Sequence, residues 1–333
     1  MENILFIGIL FLPIVFMAFI STLLIIPKWI ERAKKERLMG RDIHKLKNPK
    51  VAEAGGIAVL IGFIIGLFLY ISLKTFFIET ETNLIYILGL LAVVSFAAII
   101  GIFDDLLGWK RGLNKSTRLI LLLSAAVPLV ALNAGVSTVW GIPLGLIYPL
   151  ILIPIGIVGA ASTFNFLAGY NGLEASQGII ILSGLSIVTF LTGTWWLSVI
   201  SACMVAALIA FYFFNKYPAK VFPGDTLTYP VGALIAAIAI LGNIELIVLF
   251  FFIPYMIEVI LKLRGKLEKE SFGKVQKDGS LELRYDKIYG LEHLAIVILK
   301  KIKPSNKAYE WEVPLLINIF QIIVIVVGFV WFF

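Results

Sequence analysis

"LIYILGLLAVVSFAAIIGIFDDLLGWKRG", residues 84–112, runs from Leu84 to Phe103 without a charged side chain and then sets down Asp104, Asp105, Lys110 and Arg111. A helix needs roughly 20 apolar residues to cross a hydrocarbon core of about 30 Å. The run therefore reads as a spanning helix that meets water at two aspartates. The whole chain shares its character: of 333 residues, 60% are hydrophobic and 15% charged, with mean hydropathy +0.99. A soluble fold of that composition could not cover its own surface. The bilayer is the solvent that fits.

Nine more runs are long and apolar enough to read the same way, so the expected spans are 4–26, 55–77, 84–103, 117–135, 145–166, 177–193, 195–214, 226–242, 244–263 and 313–333. The first has no basic stretch before it and reads as a permanent helix rather than a cleaved signal. The expected fold is an all-α integral membrane protein, one polytopic domain over 1–333, with a large loop at 264–312. Lipid cannot satisfy open backbone, which favours helices throughout. Ten spans sort the loops into two sets, and every one of the 28 lysines and arginines except Lys74 falls in or beside one set. By the positive-inside rule that set faces the cytoplasm and both termini face outward.

The net charge of +7 thus gathers on one membrane face and suits anionic lipid. No basic helix or aromatic platform stands clear of the membrane, so nucleic acid is a poor partner. Cys203, the single cysteine, permits neither an intrachain disulfide nor a cysteine zinc cluster and reads as a packing residue. His44 and His293, the only histidines, are too few for a histidine metal site.

Carboxylates gather on the basic face too. Asp104 and Asp105 end the third span; "NFLAGYNGLEASQG" (165–178) and "NKYPAKVFPGDT" (215–226) join later spans; "VAEAGG" (51–56) precedes the second. Four loops bring acid, amide, glycine and lysine to one depth, which a purely structural bundle does not require. Asp and Asn without His or Cys clusters suit a hard cation such as Mg²⁺, which leaves coordination positions for phosphate oxygens. Neighbouring side chains on a helix diverge by about 100°, so Asp104 and Asp105 are expected to divide their work, one toward the reaction and one toward a lysine or helix end. Asp225 reads either as the cap of the eighth helix or as a metal ligand beside Gly224. Glu258, inside the ninth span, is expected to pair with Lys262 one turn on, and Pro254 to kink that span.

These segments resemble the polyprenyl-phosphate N-acetylhexosamine-1-phosphate transferases, the family of bacterial MraY and WecA, and most of all its eukaryotic and archaeal dolichyl-phosphate members. The resemblance is carried by "FDDLLGWKRGLNK", "NFLAGYNGLEASQG" and "YPAKVFPGDT", with "LMGRDIHK", "AEAGG" and "KDGSLELRYDKI" in support, across about residues 25 to 290. It implies that UDP-GlcNAc and a polyprenyl (dolichyl) phosphate react to polyprenyl-diphosphate-GlcNAc and UMP, with Mg²⁺ (Mn²⁺ able to substitute) on the cytoplasmic face. It also implies a homodimer and, for an archaeal source, the cell membrane.

Carried over by residue, the resemblance makes Asn165 and Asp225 the metal ligands and Lys115 a phosphate-binding lysine. Asp104 and Asp105 become the aspartate pair beside the lipid phosphate and metal. Asn171 would hold the uracil, with Gly169 and Gly172 shaping its pocket, Glu53 on the nucleotide side, and Asp42 and Ile43 flanking the base. The family's histidine-bearing motif in the last loop is missing from "RGKLEKESFGKVQKDGS". Arg264, Lys266 and Lys269 stand as sugar-diphosphate candidates by charge alone. Downstream, the alternation around Asp278-Gly279 suggests a hairpin, and 288–303 a basic amphipathic helix on the membrane with His293 at the interface. Competing readings are the same transfer with another UDP-sugar or undecaprenyl phosphate, and a flippase or transporter, against which the one-sided acids and the lack of repeated halves argue.

Overall fold

The computed structural model describes residues 2–77, 82–107, 112–139 and 141–333; Lys110 and Arg111 lie outside them. Twelve helices follow in order among the described residues: α1 (Glu2–Lys35), α2 (Gly56–Phe77), α3 (Leu84–Leu107), α4 (Lys115–Ala131), α5 (Ile153–Phe166, led by a π turn at Tyr148–Leu152), α6 (Leu173–Leu191), α7 (Trp195–Asn215), α8 (Asp225–Gly242), α9 (Glu245–Phe251), α10 (Ile253–Arg264), α11 (Leu291–Ile302) and α12 (Glu312–Phe332). Only two-stranded hairpins accompany them: β1 (Met39–Arg41) with β2 (Lys50–Ala52), β3 (Thr138–Val139) with β4 (Ile142–Pro143), and β5 (Lys274–Val275) with β6 (Leu281–Glu282). The chain is an all-α integral membrane protein.

Eight helices are long and apolar enough to cross a bilayer, and the α9–α10 pair makes a ninth if read as one bent span. At 117–135 the helix stops at Ala131 after 17 residues, about 26 Å at 1.5 Å per residue, yet it runs the length of α8: Arg118 at its start reaches Asp225, and the Val136 amide just past its end donates to Asn243 at 2.7 Å. Asn133 turns left-handed there and the chain leaves the helix. The ninth span is broken rather than merely kinked: α9 and α10 meet at 59° across Phe252. Pro254 removes a backbone donor at the break, and Gln321 of α12 donates to the Phe251 carbonyl at 2.9 Å. That is how a helix break is tolerated away from water. α6 begins at Leu173, not 177, because Gly172 takes φ +84 and turns the chain directly into the helix.

α8 lies at the centre, buried along nearly its whole length against α3 and α5. In lipid, helices associate by close packing, which small residues permit. Gly101 of α3 is such a residue: a Cβ there would overlap the carbonyl oxygen of Asp225. That approach sets the end of α3 against the start of α8, one turn before Asp104 and Asp105.

The hairpin expected at Asp278-Gly279 is β5–β6, with Gly279 at φ +81. α11 is the expected amphipathic helix, but His293 is not interfacial. It is buried with Leu291, Glu292, Ala295 and Ile296, and its Nδ1 accepts from the Tyr289 amide at 3.2 Å. Glu258 pairs with Lys262 at 3.5 Å and also accepts from the first amide of α11, Leu291, at 2.6 Å.

Candidate active site

The end of α3 and the start of α8 build the first half of the site. Asp105 accepts from the amides of Asp225 (2.8 Å) and Thr226 (3.0 Å) and from the Thr226 hydroxyl (2.6 Å). The first amides of a helix lack partners within it and favour an anion. Asp225 is therefore not the cap of its own helix: Gly224 holds the cap position, and a side chain from α3 does the capping. The Asp225 carboxylate is left to face Asn165 of α5, whose Nδ2 lies 3.1 Å from its Oδ1.

Asp104 does different work. It accepts from the Leu113 amide at 2.6 Å and pairs with Arg118 at 2.8 Å. Asn114 caps α4 by accepting from the Thr117 amide at 2.8 Å, which starts the helix so that Arg118 falls in its first turn. Arg118 also reaches Asp225, at 3.9 Å, and its buried Nε has no hydrogen-bond partner among the described residues. Tyr229, one turn along α8, adjoins both Arg118 and Asn165. Lys115 is exposed, and its ammonium donates to the Leu267 carbonyl at 2.7 Å. The base held between the two aspartates is thus Arg118, a residue that sequence reasoning missed.

A second cluster joins the loop before β2 to the start of α6 and the approach to α12. Asn171 donates through Nδ2 to Asp42 at 3.0 Å and through its amide to Glu310 at 3.3 Å. Lys45 bridges these carboxylates, 3.2 Å from Asp42 and hydrogen-bonded to Glu310. His44 stacks on Tyr170, centroids 4.1 Å apart, with Phe272 edge-on at 5.6 Å. Phe272 packs so closely on Gly169 (φ +103) that a Cβ there would overlap its ring. Gly172 lets the chain pass Tyr212 in the same way. Ile43 is half-buried beside Asp42. Glu310, His44, Lys45 and Phe272 were not read as part of this group.

Burial holds the His44 imidazole down to about 4, a shift that Asp42 opposes and Lys45 supports. Glu310 is pushed up by burial and by Asp42, against the pull of Lys45. Glu53 adjoins the first half: burial raises it first, and Asp105 raises it further. Arg264 ends α10, Lys266 takes a left-handed φ of 55°, and Lys269 sits 5.1 Å from the Tyr285 ring. The three are exposed, and neither cluster includes them.

The sequence profile of glycosyl transferase family 4 matches residues 87–243. A protein of Saccharolobus solfataricus, provisionally named a UDP-N-acetylglucosamine–dolichyl-phosphate N-acetylglucosaminephosphotransferase, is 36% identical over 294 residues, 86% of this chain and 87% of its own. The chain belongs to glycosyl transferase family 4. Another family 4 relative, provisionally given the same name, comes from Sulfolobus acidocaldarius, at 30% identity over 318 residues, 93% of this chain and 94% of its own. A phospho-N-acetylmuramoyl-pentapeptide-transferase of Streptococcus pyogenes is 28% identical over 256 residues, 72% of this chain and 75% of its own. The family 4 profile takes in Asp104, Asp105, Lys115, Arg118, Asn165, Asn171 and Asp225; Asp42, Glu53 and the last loop lie outside it.

Among the described residues of this family 4 chain, two groups have donors for a cation. Asp42, His44 and Glu310 offer ligand atoms within 4.8 Å of one another, but the Lys45 ammonium already bridges the two carboxylates. Asn165 and Asp225 offer hard oxygens instead. Turning the Asn165 amide over exchanges Nδ2 for Oδ1 at 3.1 Å from Asp225, and which end points inward is set by what it faces. This second donor set fits a small hard cation.

Proposed function

We propose that this family 4 transferase moves GlcNAc-1-phosphate from UDP-GlcNAc to a polyprenyl phosphate of the dolichyl type. The products are polyprenyl-diphosphate-GlcNAc and UMP, the first step of lipid-linked oligosaccharide assembly for N-glycosylation. The observation that carries this reading is the meeting of Asp104, Asp105, Arg118, Asn165 and Asp225 at one end of the helical bundle. The names of two relatives at 30% identity or more supply the substrates.

In the proposed reaction an oxygen of the lipid phosphate attacks the phosphorus that bears the sugar, and the bond to the phosphate of UMP breaks. Both reactants are anions, and their repulsion grows as water is excluded. Asn165 and Asp225 would hold Mg²⁺, and the bound ion would offset charge on the diphosphate oxygens. Arg118 offsets the charge of Asp104 and Asp225, whose side chains adjoin each other, and has a spare donor for phosphate. Lys115, exposed at the start of α4, would exchange the Leu267 carbonyl for substrate phosphate. Asp105 positions Asp225 by holding the start of α8. Asp42 and Asn171, with Ile43, Gly169 and Gly172 around them, would receive the uracil, and Glu53 would lie on the nucleotide side. The sorting of lysine and arginine supports a cytoplasmic site.

The test is purified protein with UDP-GlcNAc, dolichyl phosphate and Mg²⁺, scored for UMP and for the lipid product. UMP from UDP-GlcNAc supports the reading, and folded protein that releases none overturns it. The pentapeptide-transferase relative favours a second arm with undecaprenyl phosphate and other UDP-sugars. Faster turnover there would reassign the substrates and keep the reaction.

A further inference from the structure

Away from both clusters, a cavity of about 300 Å³ opens between α1, β2 and the end of α7, with Pro27, Ile30, Lys34, Lys50, Phe214 and Lys220 in its lining. That volume is at the lower end for small-molecule sites. Lys34, Lys50 and Lys220 come from three separate segments, and none has an ion-pair partner among the described residues. Three lysines around one cavity, with no carboxylate in its lining, suit an anion.

The cavity also has a direction. Pro27, Ile30 and Lys34 share one face of α1, which is apolar up to Ile26 and charged from Lys28 on. Phe214 stands in the last turn of α7, and Lys220 follows beyond it. Apolar wall thus gives way to lysine at the level where both helices leave the hydrocarbon. A soluble anion has no use for such a wall. A lipid, with its phosphate at the ammonium groups and its chain start against Pro27, Ile30 and Phe214, matches both parts.

We propose that this cavity holds the phosphate of an anionic membrane lipid. Its place gives the lipid leverage on the site. Ala52 pairs with Val221, the Phe222 amide donates to the Ala52 carbonyl at 2.7 Å, and the Gly55 amide donates to the Phe222 carbonyl at 2.9 Å. A phosphate held by Lys50 and Lys220 therefore braces the two segments that lead to Glu53 and Asp225.

The experiment is native mass spectrometry of the full chain in detergent, titrated with phosphatidylglycerol or phosphatidylcholine. Wild type retains phosphatidylglycerol at least tenfold more strongly. A juxtamembrane lysine contributes about fivefold, so K34Q/K50Q/K220Q brings phosphatidylglycerol down to the phosphatidylcholine level. The charge-matched K277Q/K287Q/K301Q, on exposed lysines elsewhere, keeps the preference. Equal retention by the cavity variant and wild type, or equal loss in the control, overturns the proposal. Should the triple variant fail to fold, K50Q alone carries the test with its roughly fivefold loss. A third arm adds millimolar inorganic phosphate to wild type: unchanged lipid adducts support the lipid, and displacement at low millimolar makes free phosphate the occupant and overturns it.

Discussion

Asp105 caps Asp225: its two carboxylate oxygens take the amides of Asp225 and Thr226 at 2.8 and 3.0 Å, across 120 residues of sequence and from a different helix. Two consequences follow from the same atoms. The start of α8 is tied to the end of α3, and the Asp225 carboxylate, relieved of capping, turns toward Asn165.

Removing the cap separates these consequences. Asp105→Ala is expected to destabilise the protein by about 1–3 kcal/mol, the range for a charged cap in a half-buried setting. Asp105→Asn keeps one acceptor oxygen and is expected to lose about half as much. Thermal unfolding in detergent measures both. UMP release should fall in both variants at temperatures where each is folded, because Asp225 loses its aim. An Ala variant as stable as wild type would refute the capping role.

Asp225→Asn and Lys115→Ala are expected to abolish UMP release in protein that still elutes as a folded monodisperse species. EDTA should stop wild-type turnover and Mg²⁺ restore it, with Mn²⁺ as a partial substitute. Normal turnover in either variant removes that residue from the mechanism, and a rate indifferent to EDTA removes the metal.

Arg118 stands 2.8 Å from Asp104 and 3.9 Å from Asp225, so its loss leaves two carboxylates facing each other. Arg118→Ala is expected to lower kcat at least tenfold, and Arg118→Lys to recover only part, since an ammonium on a flexible stem lacks the planar, pre-organised fork of a guanidinium. Adding Asp104→Asn to Arg118→Ala should cost less than the sum of the two single changes, because residues sharing a network are not independent. Strict additivity would mean that the pair does not act as a unit.

Much of this was legible. The apolar runs have membrane length and few charges, and that alone locates the helices to within a few residues. Asn165 and Asp225 were paired from motif likeness, and the fold sets them 3.1 Å apart. Other features were hidden for identifiable reasons. A reading along the chain assigns caps locally, so Asp225 looked like its own cap while the true one stood on α3. Arg118 entered only the charge count, because nothing in its neighbours marks which helix face it lies on. Glu310 reaches Asn171 from 139 residues away, a contact that only the docking of α12 beside α6 creates. The break at Phe252 needs Gln321 to satisfy a freed carbonyl, and that partner too lies on another helix.

His44 gives a pH dependence whose sign can be worked out. Its imidazole titrates at about 4 in the fold against an ordinary 6.5. The unfolded chain therefore binds the proton first as pH falls. Stability is expected to be full above about pH 6.5, to decline between 6.5 and 4, and to level off below, by roughly 3 kcal/mol in all. Glu310, held high by burial, contributes in the opposite sense over its own range by taking up a proton in the fold. His44→Gln removes the imidazole term, so its melting temperature should change less than that of wild type between pH 7 and 5. Parallel curves for the two proteins would place the acid sensitivity elsewhere.

Gly224 tests the geometry most directly. Its φ of 71° and ψ of 172° fall in a region that is essentially glycine's alone, and another residue is strained there by about 1–3 kcal/mol. A Cβ at Gly224 would in addition overlap the Asp105 carboxylate. Gly279, in the β5–β6 turn, provides the comparison, since it has φ +81 and nothing within 4 Å of a built Cβ. Gly279→Ala is expected to lower the melting temperature modestly and leave UMP release near wild type. Gly224→Ala should lower stability further and lose nearly all activity, because the new methyl displaces the side chain that aims Asp225. If the two variants lose activity alike, backbone strain alone explains the effect, and the contact between Gly224 and Asp105 has no part in catalysis.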